Sequence, residues 1–562
     1  MQYRCILTII LCTIVAGMVQ AQSPQATFSR GDSLRGALTP LRTCYDVTFY
    51  HLSVKVDTGT HVVEGSNTIV FRVVNDFDLM QVDLFENMKI SRIVFDGTME
   101  LRFDRELTAV YIHFPEKLKR KSQHNITIYY GGIPGEAKRP PWGGGFTWTR
   151  DKAGNPWIVV TCQGLGASSW WPNKDHQSDE PDSMLISVTV PSNLMDVSNG
   201  RLRRREDLGN GWTRYDWFVS YPINNYNATL NIGAFVHFGD IYLSGKDTLT
   251  LDYYVLPENL EKARKQFAQV KPMMACFEQR FGQYPFIRDG YKLIDAPHNG
   301  MEHQSAVAYG NHYVLGYRGN ASSEIGLMFD FIIVHESAHE WWGNSVTSND
   351  IADMWIHESF GAYAEAVYVE CLFGYDKAMS YVNGKKPNVL NDSPIMGTYG
   401  VHRRGSGDMY DKGQLVLNTL RHVIDNDSLW WDILRTIQQR FQYTSIDGKD
   451  IIAVVNEKSR QDLTYFFDQY LKHTRPPTLD VALRKRGPMV ELRYRWVADV
   501  DGFHMPIKVT AGAGQYLFLQ PTTAWQTIRL DKLNPQEFRV AEDQFYVDVK
   551  KRITYVDPAN DD

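Results

Sequence analysis

Cysteine and net charge are both scarce in this sequence of 562 residues. Six cysteines in so long a chain do not make a disulfide framework. A net charge of -6 gives no electrostatic reason to expect binding to nucleic acid or to an anionic membrane. Beyond the first residues, no apolar run is long enough to span a bilayer. The remaining composition is that of a globular protein, and the length predicts two to four domains.

The first 21 residues have the pattern of a secretory signal. Residues 1–4 are weakly positive, residues 5–19 are apolar, and Ala21 offers a small residue for cleavage. An uncleaved anchor helix is the alternative. The signal pattern predicts an exported protein, periplasmic or secreted.

Four cysteines remain once the signal, with Cys5 and Cys12, is removed. Two of the four, Cys276 and Cys371, lie in apolar helical patterns and are expected to be buried thiols.

The N-terminal half has the alternation of β-strands. Residues 22–43 are polar and turn-rich and form an expected N-terminal extension. From residue 44, apolar and polar residues alternate in successive short runs, such as Leu52, Val54 and Val56. Strand patterns continue with short turns and little helix, which predicts an all-β domain over residues 44–245.

The pattern then changes twice. Apolar residues between Pro257 and Phe281 follow helical spacing, and Gly282 is expected to end that helix. Residues 246–475 are therefore predicted to form a mainly helical domain with a small sheet. After the proline pair at 476–477, six strand patterns predict a C-terminal β-sandwich over residues 476–562. The fold class is α+β, multidomain.

One stretch carries metal-site chemistry. His335 and His339, in the order H-E-x-x-H, share a helix face because they lie four residues apart. Glu358 follows in an apolar segment, residues 355–373, which predicts a second helix ended by a glycine. Two His and one Glu can hold one Zn²⁺ and leave its fourth position open, as in catalytic sites. Two surface histidines on an ordinary helix are the alternative, which the apolar context disfavours.

The residues around this motif resemble a known family. The segment H-E-S-A-H-E-W-W-G-N-S-V-T followed by W-I-H-E-S-F-G-A-Y-A-E is similar to the zinc aminopeptidases of the aminopeptidase N and leukotriene-hydrolase family. The family spacing of eighteen residues between the second His and the Glu is met by His339 and Glu358. The resemblance extends from about Tyr45 onward. It implies an N-terminal β domain, a thermolysin-like catalytic domain and peptide substrates with a free N-terminus.

The resemblance also implies roles for further residues. Gln163 and Glu302 would hold the substrate's α-ammonium, with Gly300 and Met301 in the adjoining edge strand. Tyr410, in the segment Y-D-K-G, would donate a hydrogen bond to the developing oxyanion. Larger family members add a helical domain over the active site. The sequence after the predicted sandwich provides no segment for it, so a more open cleft is expected.

Three residues depart from the family pattern. Asn299 and His303 flank the edge strand in N-G-M-E-H, and their effect on amine binding stays open. His357 precedes Glu358, so its side chain points about 100° away around the helix and is expected to pack behind the metal site.

Together these residues predict a zinc aminopeptidase with Glu336 as the general base. An endopeptidase, an epoxide hydrolase and a catalytically inactive peptide-binding protein are the alternatives. Glu302 argues against the endopeptidase, which has no use for an amine-binding carboxylate beside the zinc.

Overall fold

The computed structural model describes residues 28–487, 489–512, 515–531 and 533–555. The predicted signal at residues 1–21 lies outside these described residues. Within them, no helix combines the length and the apolar character needed to cross a membrane.

The N-terminal part begins with two short helices and continues as strands. The helices are α1 (Arg30–Gly36) and α2 (Pro40–Thr43). The strands that follow, in chain order, are β1 (Tyr45–Asp57), β2 (Val62–Val73), β3 (Phe77–Asp83), β4 (Met88–Phe95), β5 (Met99–Glu106), β6 (Ala109–Leu118), β7 (Gln123–Gly132), β8 (Gly145–Arg150), β9 (Pro156–Thr161), β10 (Ser183–Pro191), β11 (Met195–Val197), β12 (Arg201–Asp207), β13 (Trp212–Val219) and β14 (Asn231–Gly233). The stretch expected to be a polar extension therefore contains helix from Arg30 onward.

These strands form two sheets. The larger has the order β12-β13-β10-β1-β2-β7-β4-β5-β6-β3, and the smaller has the order β11-β14-β9-β8. The alternation predicted for β1 is present, since Leu52, Val54 and Val56 are buried and the residues between them are partly exposed. The turn after β9 carries Gln163 out of the smaller sheet towards the catalytic domain.

The next sheet belongs to the catalytic domain. Its strands are β15 (Val236–Ser244), β16 (Asp247–Val255), β17 (Tyr291–Asp295), β18 (Gly300–Met301) and β19 (Val307–Tyr309). Their order is β15-β16-β17-β19-β18, so β18 is an edge strand. The predicted domain boundary at residue 245 falls in the turn of the β15–β16 hairpin. Because β16 pairs with β17, that hairpin joins the same sheet as β17, β18 and β19.

Helices build the rest of the catalytic domain. They are α3 (Leu260–Gln266), α4 (Val270–Phe281), α5 (Phe331–Ala338), α6 (Trp355–Phe373), α7 (Tyr375–Gly384), α8 (Asp411–Ile424), α9 (Asp427–Phe441), α10 (Gly448–Ser459) and α11 (Thr464–Lys472), with a parallel strand pair β20 (Val346–Ser348) and β21 (Thr444–Ile446). Gly282 ends α4 with a φ of 112°, a value that favours glycine.

The prediction that Cys276 and Cys371 are free thiols is wrong. Cys276 on α4 and Cys371 on α6 form a disulfide, with their Cα atoms 6.0 Å apart. The two cysteines are separated by 95 residues, and only the packing of α4 against α6 brings them together. Local helical patterns contain no sign of that pairing.

The C-terminal part consists of strands near the predicted positions. They are β22 (Thr478–Arg486), β23 (Met489–Val497), β24 (Ile507–Gly512), β25 (Gln515–Leu519), β26 (Gln526–Asp531) and β27 (Asp548–Tyr555). A four-stranded sheet of order β26-β23-β22-β27 packs with the β24–β25 hairpin. Buried residues of these strands share one core with the catalytic helices. Among the described residues, no helix follows Lys472.

Candidate metal centre and substrate cleft

Helix α5 presents the two histidines of the motif on one face. The Asp330 side chain caps the helix by accepting hydrogen bonds from the N–H groups of Ile332 (3.0 Å) and Ile333 (3.3 Å). The helix ends at Ala338, so His339 is its C-cap residue. The Nε2 atoms of His335 and His339 lie 3.4 Å apart.

Glu358, from the first turn of α6, completes a three-ligand cluster. Its Oε2 lies 3.8 Å from His335 Nε2 and 3.5 Å from His339 Nε2. Tetrahedral zinc with bonds of about 2.0–2.1 Å needs ligand atoms about 3.4 Å apart, so these separations fit that ion. All three side chains are buried, and His335, His339 and Glu358 form the metal-type cluster found among the described residues.

The other nitrogen of each histidine is also held. His335 Nδ1 donates to Glu365 Oε1 at 2.7 Å, and His339 Nδ1 donates to the Trp342 carbonyl at 2.9 Å. Both Nε2 lone pairs are thereby left facing the cluster, as a metal requires. Sequence reasoning missed Glu365. Its signal was its position seven residues after Glu358, two turns along the same helix face.

Glu365 is itself fixed by two further side chains. Tyr381 donates to Glu365 Oε2 at 2.5 Å, and Lys385 Nζ lies 3.3 Å from the same oxygen. Lys385 also lies 3.3 Å from Asp411. Although Glu365 is buried, the Lys385 cation and the His335 hydrogen bond lower its pKa. A charged carboxylate is thus available to orient His335.

Glu336 lies beside the ligands and faces the cleft. Burial raises the pKa of its carboxyl to about 8, and the neighbouring Glu302 and Glu358 also raise it. The edge strand β18 approaches it closely at Gly300. A Cβ atom at Gly300 would lie 2.7 Å from Glu336 Oε1, so a larger residue would displace the carboxylate or the strand.

A second group of side chains, one from each domain, lies beside the ligands. Gln163 Nε2 donates to Glu302 Oε1 and to Glu358 Oε1, both at 2.6 Å. Burial raises the pKa of Glu302, and the nearby Glu358 carboxylate adds to that effect. A bound cation would relieve the repulsion between these buried carboxylates. We call Gln163 and Glu302 the amine end of the cleft.

Tyr226 supports the amine end from behind. Its hydroxyl lies 3.1 Å from Glu302 Oε1 and 3.4 Å from His357 Nδ1. The Ser348 N–H donates to His357 Nε2 at 2.9 Å, so Nδ1 carries the proton of the neutral ring. His357 therefore donates to Tyr226, and Tyr226 donates to Glu302. His357 lies behind the metal site and outside the ligand cluster.

Asn299 and His303, the other two residues that depart from the family pattern, lie in different surroundings. The Asn299 side chain donates to the Tyr317 hydroxyl at the wall of the cleft. His303 is buried, and its ring nitrogens have no hydrogen-bond partner among the described residues. Burial lowers the pKa of His303 to about 3, so the ring is neutral at pH 7.

Tyr410 enters the cleft from the start of α8. A short turn, Gly407–Met409, precedes it, and its ring centre lies 6.0 Å from that of His335. Burial and the Glu358 carboxylate raise the pKa of Tyr410 well above its ordinary value. The hydroxyl is therefore protonated at neutral pH and able to donate.

A cavity of about 640 Å³ joins these groups. Each of the nine residues predicted from the sequence lines it: Gln163, Gly300, Met301, Glu302, His335, Glu336, His339, Glu358 and Tyr410. Trp142, from the Gly-rich loop before β8, also lines it. Sequence reasoning missed further lining residues, which include Tyr317, Phe331, Tyr381, Lys385 and Asp411. These residues come from scattered positions with no shared motif.

Two family models match the chain. The Peptidase M1 N-terminal domain matches residues 46–226, and the Peptidase family M1 domain matches residues 266–470. Human endoplasmic reticulum aminopeptidase 1 is 24% identical over 290 residues, which are 49% of this chain and 30% of that protein. Leukotriene A-4 hydrolase of Xenopus laevis is 23% identical over 437 residues, 72% of this chain and 67% of that protein. This chain thus covers under one third of the human relative.

Solved structures show the same fold. An M1 zinc metallopeptidase from Deinococcus radiodurans superimposes with a TM-score of 0.62 at 20% identity, covering 75% of this chain and 94% of that one. A mutant of that protein bound to a Tyr-Ser-Ala substrate gives a TM-score of 0.63 at 19% identity, over 76% and 94% of the two chains.

Proposed function

Because this chain belongs to peptidase family M1, we propose that it is a zinc-dependent aminopeptidase, which hydrolyses the first peptide bond of substrates with a free N-terminus. The observation that carries the proposal is the position of Gln163 and Glu302 directly beside the metal ligands, with Gln163 bonded to both Glu302 and Glu358. A substrate ammonium held by these groups has its first peptide bond at the metal.

The three metal ligands, Glu336 and Tyr410 each have a role in this reaction. The chemistry that zinc supplies when held by His335, His339 and Glu358 is polarisation of the scissile carbonyl and a lower pKa of the attacking water. In its ionised form, which the charge of a bound zinc ion would favour, Glu336 takes a proton from that water and passes it to the leaving amine. Tyr410 donates a hydrogen bond to the oxygen that becomes negative.

The amine end also limits which bonds can react. An internal peptide bond has more chain on its N-terminal side, and Gln163 and Glu302 occupy the space which that chain would need. An uncharged N-terminus would also leave the Glu302 carboxylate buried without a cation. Positioning thus makes the metal site selective for the first bond.

Export is part of the proposal. The signal pattern of residues 1–21 supports it, and so does the Cys276–Cys371 disulfide, because disulfides persist in oxidising compartments. We place the protein in the periplasm or the medium. Cell fractionation and N-terminal sequencing test this placement, and a cytoplasmic protein that retains residues 1–21 would contradict it.

A pair of assays on the purified protein tests the activity. One set of substrates is aminoacyl arylamides with a free amine, and the other is the same set N-acetylated, each with and without a chelator. Cleavage of the free-amine set alone, lost with the chelator, is the expected result. Cleavage of both sets would favour an endopeptidase. Zinc binding without cleavage of either set would favour an epoxide hydrolase or an inactive peptide-binding protein.

A further inference from the structure

Helix α1 lies across the junction between the two domains that form the cleft. It precedes residue 46, where the first family model begins. Its start is fixed by a capping box, in which Asp32 N donates to Ser29 Oγ (3.1 Å) and Ser29 N donates to Asp32 Oδ2 (3.0 Å). Leu34 and Gly36 are buried. This helix is therefore packed into the fold.

On one side, α1 contacts the N-terminal domain. Gln81 Nε2 donates to the Leu34 carbonyl at 3.1 Å. The Arg35 guanidinium lies over the Phe85 ring, 5.3 Å from its centre, and donates to the Leu165 carbonyl. Leu165 is two residues from Gln163, so Arg35 reaches the segment that carries the amine-binding amide.

That segment is a tight turn, which we call the Gln163 turn (residues 162–166). The N–H groups of Leu165 and Gly166 donate to the Cys162 carbonyl at 3.1 and 2.8 Å. These bonds close the turn but leave the carbonyls of residues 164 and 165 free to accept from outside. External donors to these carbonyls set where the turn, and with it the Gln163 side chain, lies.

On its other side, α1 contacts the catalytic domain at residues 401–403. The Asp32 carbonyl accepts from His402 N–H at 2.9 Å, and Arg403 pairs with the Asp32 carboxylate at 3.5 Å. Gly36 packs so closely that a Cβ there would lie 2.2 Å from the Val401 carbonyl carbon. Only glycine permits this approach.

His402 closes the arrangement. Its ring Nε2 donates to the Gly164 carbonyl at 3.1 Å. Helix α1, the Gln163 turn and residues 401–403 thus contact one another in pairs. Both carbonyls that follow Gln163 are held, one by α1 and the other by the catalytic-domain segment that α1 fixes. The catalytic-domain segment continues to Tyr410, seven residues after Arg403.

We propose that Arg35 is a positioning residue for amine recognition, and that α1 is a brace holding the Gln163 turn against the catalytic domain. The proposal rests on the function proposed above, since amine recognition is assigned to Gln163. The brace acts through backbone carbonyls and touches no substrate. Its loss should weaken the hold on the substrate ammonium and leave the chemical step largely intact.

Arg35→Ala removes the donor to Leu165 and tests this directly. Losing one well-placed hydrogen bond corresponds to about a fivefold rise in KM for free-amine substrates, with kcat changed by less than about twofold. Hydrogen exchange of the Leu165 and Gly166 amides should become faster, because the turn is no longer held. Arg35→Lys, which keeps one donor, should recover part of both effects.

Two further variants show whether the effects of Arg35→Ala come from loss of the brace. Arg30→Ala is the matched control, since Arg30 lies on the same helix and, among the described residues, pairs with Glu106 of the N-terminal domain (2.8 Å). It should leave KM and the turn's exchange unchanged. Gly36→Ala should push α1 away from Val401 and reproduce the Arg35→Ala effects through a different contact. If Arg30→Ala and Arg35→Ala lowered the Tm equally and also changed KM and the turn's exchange equally, both effects would come from a general loss of stability. That result would overturn the proposal.

The exchange measurement separates this proposal from the proposed function, because it needs no turnover. Faster exchange confined to the Gln163 turn in Arg35→Ala supports the brace, even in a protein that cleaves neither substrate set. Unchanged exchange in Arg35→Ala, with a folded protein, overturns the brace whether or not the protein is an aminopeptidase.

Discussion

The two ends of the cleft are built differently. The metal end comes from one stretch of 24 residues, His335 to Glu358, on two consecutive helices of one domain. The amine end comes from two distant segments, since Gln163 belongs to the N-terminal domain and Glu302 follows β18 of the catalytic sheet, and Tyr226 supports it from a third segment. The first needs two helices of one domain to pack together, whereas the second needs two domains to be docked correctly.

In the proposed reaction, the metal end determines the rate and the amine end determines the selectivity. Residues of the metal end act on the reacting bond, so their loss should mainly lower kcat. Residues of the amine end place the substrate, so their loss should mainly raise KM. It should also lower the preference for free-amine over N-acetylated substrates. The following changes test that division, starting with the largest expected effect.

Glu336→Gln should abolish nearly all turnover while the metal stays bound. The amide has the size of the carboxylate but cannot accept a proton from water, and general bases contribute about 10²–10⁴-fold to rate. The measurement is kcat together with zinc content, which should match the unchanged protein. Normal turnover in this variant would refute the assigned mechanism.

Tyr410→Phe should lower kcat by about two to three orders of magnitude with little change in KM. It removes a hydrogen-bond donor to the oxygen that becomes charged in the transition state. Tyr317→Phe is a suitable control, because Tyr317 lines the same cavity but its hydroxyl accepts from Asn299. A similar kcat loss in both variants would mean that Tyr410 acts only through packing.

Glu365→Gln should weaken zinc binding by about 10–100-fold, because it removes the negative charge that orients His335. The measurement is the zinc Kd by competition with a chelator. Glu370→Gln is the matched control on the same helix, since Glu370 pairs with Arg421 (2.5 Å). Equal zinc affinity in the Glu365 variant and the unchanged protein would contradict the role.

The same division explains what the sequence could predict. Helix α6 has the predicted bounds, Trp355–Phe373, because its apolar run and its final Gly374 are local signals. The C-terminal strands follow for the same reason. The pairing of β16 with β17 was not predicted, because it joins strands more than thirty residues apart and leaves no local pattern in the sequence.

At the site, motifs identified the residues, and packing supplied their surroundings. His335 and His339 follow from their spacing and Glu358 from the apolar helical segment that contains it, whereas Gln163, Glu302 and Tyr410 needed a family resemblance. Glu365, Tyr226 and the disulfide were missed because each depends on side chains brought together by tertiary contacts. Helix α1 was also missed, since nothing in a short polar segment indicates which loops it will contact.

Tyr226→Phe is the smallest of the expected effects and the sharpest test of the amine end. It removes one donor to Glu302, so KM for free-amine substrates should rise about fivefold, with kcat and zinc affinity unchanged. Tyr221→Phe is the control, because the Tyr221 hydroxyl accepts from Arg288 N (3.3 Å) outside the cleft. A fall in kcat with unchanged KM would show that Tyr226 acts on the reacting bond, and the two ends would then share their functions.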